Sequence, residues 1–374
     1  MPVFRIIADH LPRFMTCNGS RLLAAPLPPA VEDNNNARRE GIAAHYMATA
    51  AFRGAPLEEM VDRKAPNGFY MTAHMAESAG DYLDHIRKDA GFAGMEVDTS
   101  HDNIDASGNG WIIDGRADYV GMHTQTELHI VDYKYGWRIV EPDENWTMIS
   151  HAIGHIRRNK LQDGITSVRF SVFQPRPHHP DGQFRSWVIS IEQLNSLFNV
   201  LNDTLWHPSD LVVTSPHCHL CPALVPCNAA RSAEMNSIDV AEQAHSDNYT
   251  DAELSFQLDN LARAKKMLED RLDAFQELAK HRITQGAVIN NYAAEMGQGN
   301  RRFKDGITAQ ILQAMTGQDF TAPAKLITPA EAERRGIDKV IIGSLTERPP
   351  TGIRLVRASA NKRATKLFGE RKES

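Results

Sequence analysis

The 374-residue sequence predicts an α/β fold: a mixed central sheet flanked by helices, with a smaller helical or α+β C-terminal region. Three observations predict it. Apolar residues recur at helical spacing before residue 90, period-two runs rich in β-branched residues begin near residue 94, and helical patterns then alternate with further strands. With 42% hydrophobic and 24% charged residues the chain has ample material for a core. No extreme composition or short repeat places it in a fibrous or wholly disordered class.

In chain order, residues 37–52 (ARREGIAAHYMATAAF) carry Ile42, His45, Tyr46 and Ala50 on one helical face, after a Pro-rich loop. Residues 71–90 fit a second helix. MEVDTSHD, GWIIDGRADYVGM and ELHIVDYKYG then read as three β-type runs separated by Gly, Asn and Thr turns. A helix over ENWTMISHAIGHIRRNK is followed by the strands SVRFSVFQPR and FRSWVISI, whose connection contains the turn former Pro-Asp-Gly. IEQLNSLFNVLNDTLW places Leu194, Leu197, Phe198, Leu201 and Leu205 on one stripe and is the next helix. After Cys227 a polar stretch reads as a linker, and the expected division is residues 1–235 and 236–374. A long helix over residues 251–282 repeats Leu254, Leu258, Leu261, Leu268, Leu272 and Phe275 at three- and four-residue steps. That stripe suits either a core helix or a dimerising coiled coil, which would make the protein a homo-oligomer.

Lys and Arg total 41 against 47 Asp and Glu, a net charge of −6 that rules out a globally basic nucleic-acid coat. Residues 351–374 nevertheless carry +5, either a solvated end or a phosphate-contacting tail. No run approaches the ~20 apolar residues of a membrane span, and the N-terminal apolar run is too short for a signal peptide. A cytoplasmic location is expected, where four cysteines are reduced thiols or one metal site rather than disulfides.

The chemistry concentrates in two runs. In IVDYKYG, Asp132 and Lys134 stand two residues apart on a strand and leave the same face as Ile130, while Val131 and Tyr133 face the other way. In GRADYV, Asp118 lies 14 residues earlier, and a hairpin would bring it to Asp132. Paired carboxylates repel unless a cation lies between them, and oxygen ligands suit Mg²⁺ or Mn²⁺. A neighbouring lysine can orient or deprotonate an attacking water and offset negative charge at a phosphate. A surface hairpin with ordinary exposed charges is the competing reading. The aromatic residues Tyr133, Tyr135 and Trp137 serve either as core or as a base-stacking platform.

These motifs resemble the PD-(D/E)XK nuclease superfamily in its RecB-like branch, with a restriction-endonuclease-like core. The resemblance implies His45 of EGIAAHYMA beside the metal, Asp118 and Asp132 as metal-binding acids, and Lys134 as the catalytic lysine. It also implies the carbonyl of Tyr133 as a further ligand and a place for Glu96 of GMEVD on the first strand. The family's Gln-x-x-x-Tyr element is replaced here by Thr147 and His151, a departure in the part that positions the substrate strand.

Cys218, Cys221 and Cys227 form Cys-x2-Cys-x5-Cys, and Cys17 lies 201 residues upstream of Cys218. Four thiolates suit a [4Fe–4S] cluster or Zn²⁺, with His217 and His219 as further zinc donors. The arrangement is similar to the iron–sulfur staple of AddB-type and CRISPR-adaptation nucleases, which implies a structural cluster clamping both ends of the nuclease. TCNGSRLL, EGIAAH and INNYAAEMGQGNRRFKDG further resemble a phage-encoded family of RecB-like exonucleases. By that resemblance the protein would be a metal-dependent exonuclease acting on linear duplex ends or single strands, beside a phage single-strand annealing protein. The competing expectations are a catalytically weak protein that binds DNA or a recombination partner, and a zinc-stapled endonuclease.

Overall fold

The computed structural model describes residues 3–27, 36–91, 93–242 and 248–293. The N-terminal FRII segment is a strand, β1 (Phe4–Ile7), followed by the short helices α1 (Leu11–Thr16) and α2 (Ser20–Ala24). Next come α3 (Asn36–Phe52), α4 (Leu57–Met60) and α5 (Ala73–Ile86). Thr72 caps α5 by accepting from Met75 N–H.

The next runs are more broken than their hydrophobic pattern suggests. MEVDTSHD divides into β2 (Ala93–Asp98) and β3 (His101–Ile104), and the following run divides at Gly115 into β4 (Gly110–Asp114) and β5 (Arg116–Met122). The reason is a crossover between two sheets. Thr99 N–H donates to Gly115 O at 2.9 Å, so both strands bend at one place, and a Cβ on Gly115 would lie 2.7 Å from Thr99 Oγ1. β4 pairs with β1 and β3 in a three-stranded sheet, whereas β2 and β5 enter the main sheet.

The main sheet continues with β6 (Glu127–Tyr133), the helix α6 (Trp146–Asn159), β7 (Ser167–Phe173) and β8 (Phe184–Ser190). Its order is β2-β5-β6-β7-β8, with β6 and β7 parallel and every other neighbouring pair antiparallel. A parallel pair needs a crossover, and α6, capped by Asn145, supplies it. Ser190 and Gln193 form a capping box that starts α7 (Ile191–Trp206). Ile130, Phe170, Val172, Ile149 and Leu201 share one core. Val131, Tyr133, Met47 and Tyr82 share another on the α3–α5 side. The protein is thus α/β, a mixed sheet with helices on both faces.

The stretch after Cys227, read from sequence as a linker, is helical: α8 (Asn228–Glu242). Its only fully buried side chain among those described is Ala230, so no apolar stripe announces it. The last helix, α9 (Asp251–Thr284), begins with a Thr250–Glu253 capping box. It packs on α8 and on the turn at Cys218–Leu220, the cysteine turn, and its Arg271 donates to Leu224 O at 2.9 Å and pairs with Glu234 on α8. The leucine stripe is not what it buries. Leu254, Leu261 and Leu272 are about half exposed or more. Residues Met1–Ala294 form one compact unit, which runs past residue 235 because α8 and α9 pack on one another and on this turn. The basic tail and the GQGNRRFKDG segment lie outside the described residues. Among those described, no helix is long and apolar enough to cross a membrane.

Candidate metal centre and cysteine cavity

The antiparallel register Tyr119↔Val131, continued by one pair, sets Asp118 opposite Asp132. On the other side of β5, the register runs Met95↔Tyr119 and Val97↔Ala117, which sets Glu96 opposite Asp118. Three adjacent strands therefore present three acids in one row. Glu96 itself leaves the ladder with φ +54°, a left-handed conformation costing a non-glycine residue about 1–3 kcal/mol.

From α3, His45 Nδ1 comes within 3.2 Å of Asp118 Oδ1. His45, Glu96 and Asp118 bring their ligand atoms within 4.8 Å of one another. The ladder gives way at this point, and Asp118 Oδ2 accepts the Tyr133 N–H at 2.8 Å in place of a strand carbonyl. Lys134 follows the end of β6. Its backbone N–H continues the ladder to Phe173 O at 2.9 Å, and its Nζ lies 2.9 Å from Asp132 Oδ1.

The electrostatics separate the two aspartates. Burial pushes against ionising Asp118, but His45, Lys134 and the Tyr133 N–H outweigh it and hold its carboxyl well below the usual range. Burial drives Asp132 up to about 6, and the adjacent Asp118 charge adds to this against the pull of Lys134. Burial would lower the Lys134 pKa, yet Asp132 and Asp118 raise it, so the side chain is an ammonium. The same contest, burial against Asp118, leaves His45 raised.

Other side chains complete the surroundings. Asp9, in the turn after β1, places a negative charge toward both Lys134 and His151. Nothing in its local sequence distinguishes it. His151 is buried on α6 with Nδ1 2.8 Å from Thr99 Oγ1, whereas Thr147 Oγ1 donates to Ala8 O at 3.3 Å. Tyr133 and Tyr135 are core residues, Tyr133 stacking on Tyr82 with centroids 4.9 Å apart. Trp137 is 69% exposed and belongs to the loop behind Lys134. Gln174, which sequence reasoning passed over, fixes that loop: its Nε2 donates to Gly136 O and Arg138 O, and its Oε1 accepts from Val140 N–H.

Cys17, Cys218, Cys221 and Cys227 all line one cavity, although 201 residues separate the first two. All four are free thiols. Val213 N–H reaches Cys17 Sγ, Ser215 N–H reaches Cys218 Sγ and Ala230 N–H reaches Cys227 Sγ, at 3.4, 3.2 and 3.5 Å. The Arg13 guanidinium is buried against the same thiols. Burial pushes the Cys221 thiol up against the pull of the Arg13 cation. Four sulfurs around one cavity, with backbone N–H donors beside three of them, are nonetheless a donor set that fits a thiolate-bound metal group. They do not sit at single-ion spacing. Among the described residues, the His, Cys, Asp and Glu groups whose ligand atoms lie within 4.8 Å of one another contain no cysteine, whereas Zn–S bonds of about 2.3 Å require sulfurs about 3.8 Å apart.

The family described as "Protein of unknown function (DUF2800)" matches residues 8–363, and the chain belongs to it. A solved structure titled "Crystal structure of SSO0001" aligns at 14% identity over 60% of this chain and 86% of that chain, with a TM-score of 0.28. No curated protein matches the sequence.

Proposed function

We propose that this member of the DUF2800 family is a metal-dependent deoxyribonuclease, an exonuclease acting on DNA ends in the cytoplasm. The observation that carries the reading is the row of Glu96, Asp118 and Asp132 across three strands, with His45 against the middle acid, Asp118, and Lys134 beside Asp132. Oxygen-rich donors of this kind suit Mg²⁺ or Mn²⁺. A divalent ion there would polarise a phosphate oxygen and lower the pKa of a bound water.

The protein's own groups supply the rest. Asp118 is held in place by Tyr133 N–H and His45, and therefore stays aimed into the site as an anion. Lys134, paired with Asp132, acts as a fixed cation that stabilises charge building on the phosphate rather than as the base that takes a proton from water. Trp137 stands exposed at the rim, where it can stack on an unpaired base.

The thiols of the cysteine cavity would hold a [4Fe–4S] cluster, whose wider sulfur spacing suits the cavity better than Zn²⁺. Its role is to join the N-terminal helices to the turn before α8. Anaerobic purification and a linear-duplex assay test both parts. The expected result is brown protein that degrades linear DNA with Mg²⁺ or Mn²⁺, and a Lys134→Ala variant that does not. Wild-type rates in that variant would overturn the site assignment, and colourless zinc-loaded protein would overturn the cluster. Binding of linear DNA without hydrolysis by wild type would favour a non-catalytic DNA-binding protein.

A further inference from the structure

A second set of ligating side chains lies apart from the acid row. Asp89 follows α5, His123 follows β5 and His129 belongs to β6, and their ligand atoms lie within 4.8 Å of one another. Both imidazoles turn Nδ1 toward one carboxylate: His129 at 2.8 Å from Asp89 Oδ2 and His123 at 3.0 Å from Oδ1.

The partners behind these three are equally ordered. His129 Nε2 lies 2.8 Å from Ser171 Oγ, which is 2.7 Å from Ser186 Oγ. Tyr119 Oη donates to Asp89 Oδ2 at 2.8 Å. A metal-bound imidazole and carboxylate need such outer partners to fix tautomer and direction. The backbone also leaves room. Gly121 pairs with His129 across the strands, and a Cβ there would come within 2.8 Å of Asp89 Oδ2 and 2.3 Å of Tyr119 Oη. The Asp89 and His129 side chains are 2% and 3% exposed, whereas His123 is 38% exposed and opens the group to solvent.

We propose that Asp89, His123 and His129 form a binding site for a divalent transition-metal ion, Zn²⁺ foremost. Two imidazole nitrogens and one carboxylate oxygen are the borderline donor set that Zn²⁺ takes, while Mg²⁺ prefers oxygen alone. Bonds of about 2.0–2.1 Å in a tetrahedron place ligand atoms about 3.3 Å apart. The two imidazole–carboxylate spacings of 2.8 and 3.0 Å need to open by about 0.3–0.5 Å to reach this, and water entering past His123 would fill the fourth position. The ion would clamp the turn end of the β5–β6 hairpin to the C-terminal end of α5.

Metal-stripped full-length protein is titrated with Zn²⁺, and with Co²⁺ as a coloured substitute, alongside His123→Gln and Asp118→Asn. Wild type and Asp118→Asn are expected to bind a Co²⁺ with the ligand-field bands of a four-coordinate N/O site, separate from any thiolate charge-transfer band arising at the cysteine cavity. His123→Gln is expected to lose that signal, to bind this Zn²⁺ at least tenfold more weakly, and to lose the zinc-induced rise in Tm. Equal uptake and equal Tm response in folded His123→Gln would overturn the proposal and leave a hydrogen-bonded network only. Should that variant misfold, anomalous diffraction at the zinc edge on wild-type crystals decides: a peak beside Asp89 supports the site, and none there refutes it.

Discussion

The Arg138 guanidinium donates to Pro216 O at 2.8 Å and to the His219 ring at 2.7 Å. Arg138 belongs to the loop behind Lys134, and His219 lies between Cys218 and Cys221. The turn that carries Cys218 and Cys221 and the loop that follows Lys134 are therefore joined by one side chain. Arg138→Ala is expected to leave the metal content of the cysteine cavity unchanged while lowering DNA cleavage about tenfold, because small displacements of positioned groups cost rate steeply. Turnover measured beside iron content separates the two effects.

The three acids differ in what they hold. Asp118 is fixed by two partners, while Glu96 contributes from a strained strand edge. Asp118→Asn and Lys134→Ala are each expected to lower cleavage by about 10²–10³, and Glu96→Gln by about 10–100. A single-turnover assay over a Mg²⁺ titration gives the order. Glu96→Gln should be partly rescued at high Mg²⁺.

Removing a cysteine acts on stability before chemistry. Cys17 and Cys227 would stand at the two ends of the proposed cluster clamp, so Cys17→Ser and Cys227→Ser are each expected to abolish visible absorbance and lower the Tm by a similar amount. The double variant should lie close to either single one, since a clamp is lost once. Thermal unfolding of all three under anaerobic conditions checks this.

Acid should destabilise the protein through its buried histidines. Burial lowers the pKa of both His101 and His151 to about 4. The unfolded chain binds these protons from pH 6.5 downward and the folded protein only near pH 4, so the histidine contribution to stability falls as pH drops through that window. Asp132, which the folded protein protonates from about pH 6, offsets this in part. For His101 the displacement from 6.5 to about 4 corresponds to about 3 kcal/mol. Urea midpoints between pH 7 and pH 4.5 measure the loss, and His101→Gln should flatten part of it.

Gly154 on α6 lies directly against β2's end. A Cβ there would fall 1.8 Å from Thr99 O and 2.7 Å from His101 Nδ1, with rigid backbone on one side. Gly154→Ala is therefore expected to destabilise the fold by at least about 1–3 kcal/mol despite the better helix propensity of alanine. Its urea midpoint should drop with the m-value unchanged.

Much of the architecture was legible because the hydrophobic period changes where the elements change. The α7 stripe and the β7–β8 pair follow their sequence pattern, since propensity, capping and turn chemistry agree there. The two-sheet crossover at Thr99 and Gly115 was not legible, because it depends on a contact between backbones far apart in sequence. β1 was hidden by its shortness: four residues signal a strand only once β4 lies beside them. In the candidate site, Asp118, Asp132 and Lys134 could be read from spacing, while Asp9 and Gln174 act through tertiary position alone.

The register that sets Asp118 opposite Asp132 makes the connection at residues 123–126 a ruler. Because side chains alternate along β6, removing one residue from that turn would exchange Ile130 and Asp132 with Val131 and Tyr133 between the two faces. Removing two would restore the face but slide Asp132 past its partner. The length of that turn is thus subject to a parity rule: an odd change in its length turns the acid face over, and an even one keeps the face but breaks the row.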